Sequence, residues 1–175
     1  TNIPKFKTAI SEYIPVSRAF FKLVEIYNQN QLNEYFCKPI KTFHLAEGPG
    51  GFIEAINHVR NKNPRDIYYG ITLIEDNQNI PNWNKLEHII ESQDNIIIDY
   101  GVDGKGDLFN PLNYKHLKEN YGGTMDLITA DGGFDFSINF NHQESQALRL
   151  LLTEVIYTFM LQKNGGVFIF KVFDT

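Results

Sequence analysis

The feature of this sequence that most constrains its fold is the alternation of short apolar runs with longer amphipathic stretches. A short apolar run predicts a strand, and apolar residues that recur every three or four positions predict a helix. Strands separated by helices favour a parallel sheet with right-handed crossovers, so we expect a doubly wound α/β sandwich. The pattern places strands at 42–47, 67–73, 95–100, 125–130 and 166–173, and helices at 18–30, 52–60, 83–92, 114–119 and 142–162.

Local signals refine these elements. Ser17 can cap the first helix through its side chain, and Gly165 is placed to end the last helix. The runs at 96–98 and 167–170 are continuously apolar rather than alternating. Continuous runs are typical of strands that are covered on both faces, and we expect both strands to be covered in this way.

Length and composition indicate one globular domain. A chain of 175 residues suits a single domain, and 42% hydrophobic with 21% charged residues excludes wholesale disorder. No apolar run is long enough to cross a bilayer. The single cysteine, Cys37, excludes an internal disulfide and a thiolate zinc site, and the five histidines have no ligand spacing. We expect an intracellular protein with no metal, in the cytoplasm or nucleus, or in a virion if the asparagine- and isoleucine-rich usage reflects a viral genome.

Charge is distributed unevenly along the chain, whose formal net charge is −5. Residues 1–41 carry six basic and three acidic side chains, whereas residues 42–175 carry an acidic excess. A basic segment on an otherwise acidic protein can bind a polyanion at one place only. A chance uneven distribution of solvent-exposed charges explains the same numbers. We expect a basic, helical N-terminal portion at 1–41 and an α/β core at 42–175. The chain starts without methionine and stops after a strand-like run, so we expect it to be a segment of a longer protein.

Unusual residues follow all five predicted strands, at the edge of the sheet where doubly wound proteins bind ligands. They are 47–51 (Glu-Gly-Pro-Gly-Gly), 72–76, 100–107, 131–133 and Lys171. The glycine loop does not fit the dinucleotide pattern G-x-G-x-x-G, because position 53 is isoleucine, and no Walker phosphate loop is present. A structural turn between strand and helix remains an alternative for these glycines.

Lys171 interrupts an apolar strand on the same face as Val167, Ile169 and Phe173. An unpartnered buried lysine is costly, so Lys171 needs an anion, water or a substrate, unless it reaches solvent as a snorkelling side chain. Asp131, which ends a neighbouring strand if the fourth and fifth strands are adjacent in the sheet, is a candidate partner, although an aspartate before two glycines also forms turns.

Several motifs together resemble one family. They are 17–23 (Ser-Arg-Ala-Phe-Phe-Lys-Leu), 44–53 (His-Leu-Ala-Glu-Gly-Pro-Gly-Gly-Phe-Ile), 69–73, 104–107, 129–135, Gln143-Glu144 and 165–171. In order and spacing they are similar to the FtsJ-type RNA ribose methyltransferases, and most similar to their Adrift-type, cap-specific branch. The resemblance covers about residues 17–174. It implies a Rossmann-like, S-adenosylmethionine-dependent methyltransferase sandwich whose C-terminal strands are missing from this chain, so that the edge of the fifth strand needs cover from a further domain or a partner chain.

The resemblance also implies a Lys-Asp-Lys-Glu catalytic tetrad. By motif position, Lys22 is the first lysine, Asp131 the aspartate and Lys171 the second lysine, whereas the glutamate belongs to a later strand than this sequence reaches. His44 stands where bacterial members have an acid. We expect Lys171 to be the general base, helped to stay neutral by the nearby Lys22 ammonium, which positions the 2′-oxygen.

The same resemblance places the cofactor along the strand ends. The expected contacts are Gly48, Gly50 and Phe52 at the methionine end, Leu73 near the adenosine and Asp107 near the adenine amino group. Glu47, Gly51 and Asp131 are expected as further cofactor-binding residues. Glu75 and Asp76 are possible ribose-hydroxyl acceptors, although solvent-facing acids are an equal alternative.

The sequence thus favours an RNA ribose 2′-O-methyltransferase, acting near the mRNA cap, with the basic residues before position 42 on RNA phosphates. A catalytically inactive methyltransferase-like module that binds RNA or serves assembly stays open, because the fourth tetrad residue is absent. A nicotinamide-dependent dehydrogenase is disfavoured by Ile53 and the two lysines.

Overall fold

Five parallel strands form one sheet in the order β3-β2-β1-β4-β5. The structure, a computed structural model, describes residues 13–75, 81–133 and 140–172, with the backbone alone at 140–146. This order, with helices between the strands, confirms the predicted Rossmann-like α/β sandwich. The strands are β1 Lys41–Leu45, β2 Ile67–Ile71, β3 Ile96–Ile98, β4 Met125–Ala130 and β5 Gln162–Phe170.

Helices pack on both faces of this sheet. The helices are α1 Ala19–Gln29, α2 Leu32–Tyr35, α3 Gly51–Val59, α4 Glu87–Ile90, α5 Pro111–Tyr121 and α6 Phe140–Leu161, with a 3₁₀ turn at Trp83–Lys85. One core joins α1 and α3 to the sheet, and Leu23, Ile53 and Leu127 are fully buried in it. The second core lies on the opposite face, where α5 and α6 contribute Leu117 and Leu161. No helix in the described ranges is long and apolar enough to span a membrane.

The first helix begins differently from the prediction. Arg18 occupies the N-cap position of α1, and no side chain there caps the helix. The expected capping role of Ser17 is therefore wrong. The Ser17 side chain instead packs against Gly51, where an added Cβ would meet the Ser17 hydroxyl oxygen.

The end of the last helix is also different. Helix α6 ends at Leu161 and β5 begins directly at Gln162, four residues before the predicted strand. Gly165 therefore does not end a helix. It lies within β5 with φ of +75°, where the pairing register with β4 shifts between Met125 and Leu127. The irregularity takes up the extra residues before Val167 resumes regular pairing, and a left-handed φ of this kind favours glycine.

The two continuously apolar strands are not covered on both faces. Strands β3 and β5 form the edges of the described sheet. Ile97 is 39% exposed and Phe170 is 42% exposed. Continuous apolarity here marks edge strands whose outer surface stays accessible within the described part of the chain.

Two helices differ in length from the expectation. Helix α5 starts at Pro111, three residues earlier than predicted, because the Asn110 side chain accepts a hydrogen bond from Leu112 N and caps it. The weak helix predicted at 83–92 is divided into a 3₁₀ turn and the four-residue α4. The short α2 has no counterpart in the predicted set.

Candidate active site

A cavity of about 260 Å³ opens between the start of α1 and the carboxyl ends of β1 and β4. The loop after β1 forms one wall, and the chain entering α1 forms the other. Its polar lining comes from Ser17, Arg18, Lys22, Glu47 and Asp131. Two cationic side chains, Arg18 and Lys22, therefore share one small space with the carboxyl groups of Glu47 and Asp131.

Lys171 and Asp131 form an ion pair beside this cavity. The Lys171 ammonium nitrogen lies 2.9 Å from Asp131 Oδ1 and donates to the Asp131 carbonyl oxygen at 3.0 Å. The Lys171 amide also donates to the carbonyl oxygen of Ala130 at 2.9 Å. Both side chains remain partly exposed, at 26% for Lys171 and 16% for Asp131, so the pair is accessible to a ligand.

The strand register explains why these two residues meet. Leu127 pairs with Val167 and Thr129 pairs with Ile169, so the next alternate positions are Asp131 and Lys171. Leu127, Val167 and Ile169 pack in the core under α1 and α3. The charged pair therefore continues the face of the sheet that α1 covers, and Lys22 of α1 is exposed at the same cavity. The structure brings together the three predicted catalytic side chains.

The loop after β1 folds around Glu47. Its carboxylate Oε1 accepts from Phe52 N at 2.5 Å, and its carbonyl oxygen accepts from Gly50 N at 2.7 Å. Gly48 N donates to the hydroxyl oxygen of Thr72 at 3.0 Å. Three of the loop's amides are thus bonded inside the protein, and Glu47 satisfies the start of α3 in place of a conventional cap.

The glycines of this loop permit close packing by other segments. A Cβ at Gly48 would meet the carbonyl oxygen of Pro81, and a Cβ at Gly50 would meet the side chain of Leu86. Gly50 also has φ of +102°, which disfavours any residue with a side chain. At positions 48 and 50 the missing side chain allows other segments to pack closely. Gly48 and Gly51 also line the cavity.

The two residues predicted at the adenosine lie along neighbouring strand ends. Leu73 follows β2 and Asp107 follows β3, and both are half-buried. Ile74 N donates to the carbonyl oxygen of Lys105 at 2.7 Å, which joins the two loops. One oxygen of Asp107 accepts from Phe109 N at 2.8 Å. These two positions lie along the ends of β2 and β3, away from Lys22, Asp131 and Lys171.

Burial controls the charge of Glu47. The residue is only 4% exposed, and loss of hydration raises the pKa of its carboxyl well above the usual range. The Phe52 amide and the Lys171 ammonium act in the opposite direction, and the Asp131 carboxylate adds to the rise. The cavity wall therefore holds an acid that is stabilised in its neutral form.

A second buried acid was missed by the sequence analysis. Glu154 of α6 is 2% exposed, and burial raises its pKa to about 7. Gly132 lies directly against it, because a Cβ there would meet Glu154 Oε1. The signal existed in the sequence, since Glu154 shares the buried face of α6 with Leu150, Tyr157 and Leu161 at helical spacing.

His44 lies inside the sheet and does not line the cavity. Its ring nitrogens make hydrogen bonds with Thr42 Oγ1 at 2.8 Å and Thr129 Oγ1 at 2.7 Å. All three residues are fully buried, and loss of hydration lowers the pKa of His44 to about 3. A neutral histidine therefore links β1 to β4 beneath the site.

A further buried acid, also not predicted from the sequence, anchors the segment that precedes α1. Glu54 of α3 is 4% exposed and accepts from Val16 N at 2.8 Å and from the Tyr13 hydroxyl at 2.9 Å. These bonds fasten the segment that contributes Ser17 and Arg18 to the cavity.

Among the residues that the structure describes, the basic side chains before position 42 do not share one surface. Arg18 and Lys22 line the cavity. Lys41 opens β1 and so lies at the opposite end of that strand from the glycine loop, and Lys38 precedes it. The expectation that this whole portion meets one polyanion does not fit Lys38 and Lys41, and Lys5 and Lys7 lie outside the described residues.

Several positions singled out in the sequence lie outside the described residues. Asp76, Phe134, Asp135 and Phe173, and the side chains of Gln143 and Glu144, lie outside the described residues. Glu75 is exposed at the end of the loop after β2. Within the described ranges, no three His, Cys, Asp or Glu side chains are arranged to hold a metal ion.

Known proteins are similar to this chain in sequence. The family model for FtsJ-like methyltransferases matches residues 15–175. The cap-specific mRNA (nucleoside-2'-O-)-methyltransferase 2 of Drosophila melanogaster is 30% identical over 181 residues, covering 93% of this chain and 24% of the relative. The cap-specific mRNA (nucleoside-2'-O-)-methyltransferase 1 of Trypanosoma cruzi is 32% identical over 134 residues, covering 75% of this chain and 35% of the relative. The chain spans about a quarter to a third of the length of these relatives.

A solved structure shares the fold. The crystal structure of a Plasmodium falciparum protein described as a ribosomal RNA methyltransferase superposes with a TM-score of 0.55 at 19% identity. The match covers 87% of this chain and 76% of that chain. At this identity the likeness concerns the arrangement of strands and helices.

Proposed function

The chain belongs to the FtsJ-like methyltransferase family, and we propose that it methylates the 2′-hydroxyl of an RNA ribose near the mRNA cap, with S-adenosylmethionine as the methyl donor. The observation that carries this proposal is the Lys171–Asp131 ion pair at a cavity that Lys22 also lines. The relatives named for cap-specific mRNA 2′-O-methylation favour the cap over another RNA site.

The residues around the cavity suit the methionine end of the donor. Ser17 Oγ is buried without a hydrogen-bond partner in the described part of the chain, and Gly51 beside it leaves room that a side chain would fill. The carboxylate of Asp131 favours a cationic ligand group. Leu73 and Asp107 would then hold the adenosine beyond Gly48 and Thr72.

In the proposed reaction, Lys171 is the general base. The donor, when bound, supplies a methyl group on a positively charged sulfur. The neutral Lys171 amine would take the proton of the ribose hydroxyl while an oxygen lone pair forms the new bond to the methyl carbon. The carbon–sulfur bond would break at the same time, its electron pair would stay on sulfur, and the donor would leave as a neutral thioether. The Lys22 ammonium stabilises the developing negative charge on that oxygen, and Asp131 holds Lys171 in place. Much of the acceleration comes from aligning the oxygen with the methyl carbon.

Arg18 and Lys22 are suited to the RNA backbone. Both are exposed at the mouth of the cavity, where a phosphate next to the acceptor ribose would pass. Such contacts fix the position of the strand without reading its bases. The acidic remainder of the chain disfavours RNA elsewhere, which confines the RNA to this face.

We further infer that an additional segment or a partner chain covers the outer edge of β5. Phe170 and Val172 are 42% and 60% exposed at the end of this strand. An edge strand with unpaired backbone groups and apolar side chains invites pairing with another chain.

The proposal is tested by calorimetric titration with S-adenosylmethionine, followed by transfer of a radiolabelled methyl group to capped and uncapped RNA. We expect donor binding and methylation of the capped RNA at a ribose 2′-oxygen, which nuclease digestion and mass spectrometry would locate. Donor binding without transfer to either RNA would contradict the enzyme and favour an inactive RNA-binding module. Methylation of a base nitrogen would contradict the assigned chemistry.

A further inference from the structure

Asn113 is a fully buried polar residue that the proposed reaction does not use. It is the third residue of α5, and its side-chain amide reaches the loop at 99–107 that follows β3, called here the β3 loop. Its Oδ1 accepts from Val102 N at 2.8 Å, and its Nδ2 donates to the carbonyl oxygen of Asp107 at 2.9 Å. One amide thus ties two points of the β3 loop to a helix, and breaking either bond leaves a polar group without its partner.

The β3 loop packs closely on both of its sides. On the α5 side, a Cβ at Gly101 would stand 2.4 Å from Asn113 Oδ1 and 2.7 Å from Asn113 Nδ2. On the β2 side, a Cβ at Gly106 would meet the carbonyl oxygen of Thr72. The β3 loop is therefore enclosed between the end of β2, which contacts it through backbone, and α5, which holds it through the Asn113 side chain.

The last residue of the β3 loop presents a carboxylate oxygen. Asp107 Oδ1 accepts from Phe109 N at 2.8 Å, whereas Asp107 Oδ2 has no hydrogen bond within the described ranges. The Asp107 carbonyl oxygen accepts from Asn110 N at 3.2 Å in addition to Asn113 Nδ2. The residue is half-buried, so a ligand can reach Oδ2 while the backbone stays fixed. A carboxylate oxygen accepts from an amino group and repels a carbonyl oxygen.

We propose that Asn113 is a positioning residue that sets the selectivity of the site for the adenine base of the donor. The inference rests on the proposed function, because only a nucleoside donor brings a base to Asp107. Asn113 acts through Asp107: its two bonds fix the β3 loop, and the loop holds Oδ2 where the exocyclic amino group of adenine donates to it. Without these bonds, Oδ2 loses its single position, and the preference for an amino group decreases.

Two nucleoside thioethers measure this selectivity. S-adenosylhomocysteine carries the exocyclic amino group, and S-inosylhomocysteine has a carbonyl oxygen in its place. Calorimetric titration gives the Kd of each compound, and the ratio of the two Kd values is the base selectivity. We expect the wild type to prefer the adenosyl compound by about 10- to 100-fold, as for one hydrogen bond to a charged group. In Asn113→Ala the preference should fall to about threefold or less, because the adenosyl compound binds more weakly while the inosyl compound binds as before.

A second asparagine on β3 provides a matched control. Asn95 precedes the other end of the strand, and its Nδ2 donates to the carbonyl oxygens of Asn63 at 3.2 Å and Asp66 at 2.9 Å. Asn95→Ala also removes two hydrogen bonds, so it should lower the melting temperature and leave the base selectivity unchanged. A general loss of stability is thereby separated from loss of selectivity.

A double variant tests whether Asn113 acts through Asp107. In Asp107→Ala the base selectivity should already be lost, so adding Asn113→Ala should not change it further. A further decrease in the double variant would overturn the inference, because Asn113 would then act by another route. Wild-type selectivity in Asn113→Ala would overturn it as well.

The remaining outcomes are also decisive. If Asn113→Ala does not fold, the side-chain amide signal of Asn113 in the NMR spectrum of the wild type decides: S-adenosylhomocysteine should shift it and S-inosylhomocysteine should not, and equal shifts would overturn the inference. Equal affinity of the wild type for both compounds would overturn the inference and leave the proposed function standing. Binding of neither compound would overturn the proposed function, and the inference with it.

Discussion

Lys171 holds Asp131 at two atoms, the carboxylate Oδ1 at 2.9 Å and the backbone carbonyl oxygen at 3.0 Å. One contact is with the side chain and the other is with the turn itself. The ion pair therefore fixes the end of β4 relative to the end of β5, in addition to placing an amine at the cavity.

Removal of the amine should separate catalysis from donor binding. We expect Lys171→Ala to lower kcat by about 10²–10⁴-fold, the usual contribution of a general base. The affinity for S-adenosylmethionine should change little, because the cavity lining keeps Glu47, Gly48 and Gly51. Radiolabel transfer and calorimetry measure the two quantities. Lys163→Ala is the control for loss of a β5 lysine, and turnover near the wild-type rate in Lys171→Ala would exclude Lys171 as the base.

Gly51 and Ser17 make a steric pair at the cavity. A side chain at position 51 would collide with the Ser17 hydroxyl, whereas the next atoms, Ala19 Cβ and Phe20 N, are 3.2 Å away. We expect Gly51→Ala to weaken donor binding by about tenfold, and the double variant with Ser17→Ala to recover most of that loss. Calorimetry on both single variants and the double variant measures the coupling. If the changes in binding free energy of the two single variants simply add in the double variant, the contact between positions 17 and 51 does not control donor binding.

His44 should make stability sensitive to acid. Its pKa is lowered to about 3 in the folded protein from an ordinary value of 6.5, because the buried ring loses its hydration. The unfolded chain therefore binds a proton below pH 6.5 that the folded protein refuses, so this stability is present above pH 6.5 and is lost as pH falls towards 3. The loss is about 1.4 kcal/mol per pH unit.

Urea unfolding at pH 7, 6 and 5 tests this effect of His44. The variant His44→Gln, which can still hydrogen bond to Thr42 or Thr129, should remove this part of the pH dependence. Parallel pH profiles for the wild type and His44→Gln would show that the ring is not the source.

Glu54 should control the attachment of the segment before α1. Glu54→Ala removes the acceptor of Val16 N and the Tyr13 hydroxyl, at a cost of about 1–3 kcal/mol for the buried donor left unpaired. We expect faster protease cleavage near residues 13–18 with the sheet intact, as followed by mass spectrometry and circular dichroism. Glu54→Gln keeps a hydrogen-bond acceptor, so its cleavage rate should lie between those of the wild type and Glu54→Ala. Cleavage at the wild-type rate in Glu54→Ala would contradict this role.

The outer face of α6 should drive association of the 175-residue chain. Four apolar side chains at helical spacing are more than half exposed on it: Leu148, Leu152, Ile156 and Phe159. A contiguous apolar stripe of this kind favours contact with another protein surface. We expect concentration-dependent association by light scattering, reduced by Phe159→Lys. Leu112→Lys, at an equally exposed site on α5, should have no such effect, and a monomer at all concentrations would contradict the prediction.

The position of Asp131 and Lys171 could be predicted because it depends only on strand alternation and on parallel neighbours. The apolar pattern predicts the alternation and places the carboxyl ends of parallel strands at one edge, whereas the direct neighbourhood of β4 and β5 was assumed and is supplied by the structure. Lys22 came from the family resemblance instead, since no local rule says which turn of α1 faces the cavity. The capping role of Ser17 failed because the hydroxyl packs against Gly51, which is distant in sequence.

The contact of Glu154 with Gly132 and the start of β5 could not be predicted from the sequence, because both depend on tertiary contacts. An acid on the buried face of a long helix is visible in the sequence, but its neighbour Gly132 is known only once α6 is placed on the sheet. In the same way, the irregular pairing around Gly165 joins helix α6 to β5 without a loop, and apolar periodicity does not reveal it. The edge exposure of β3 and β5 follows from strand order, which the pattern did not specify.

The hydrogen bond between His44 and Thr129 joins the two strands directly below the cavity, whereas Lys22 belongs to a helix held mainly by apolar packing against α3. Local opening begins where fewer interior hydrogen bonds must break. On warming, α1 would therefore detach while the paired strands still hold Asp131 next to Lys171. Heating would then separate Lys22 from Lys171 before the sheet unfolds.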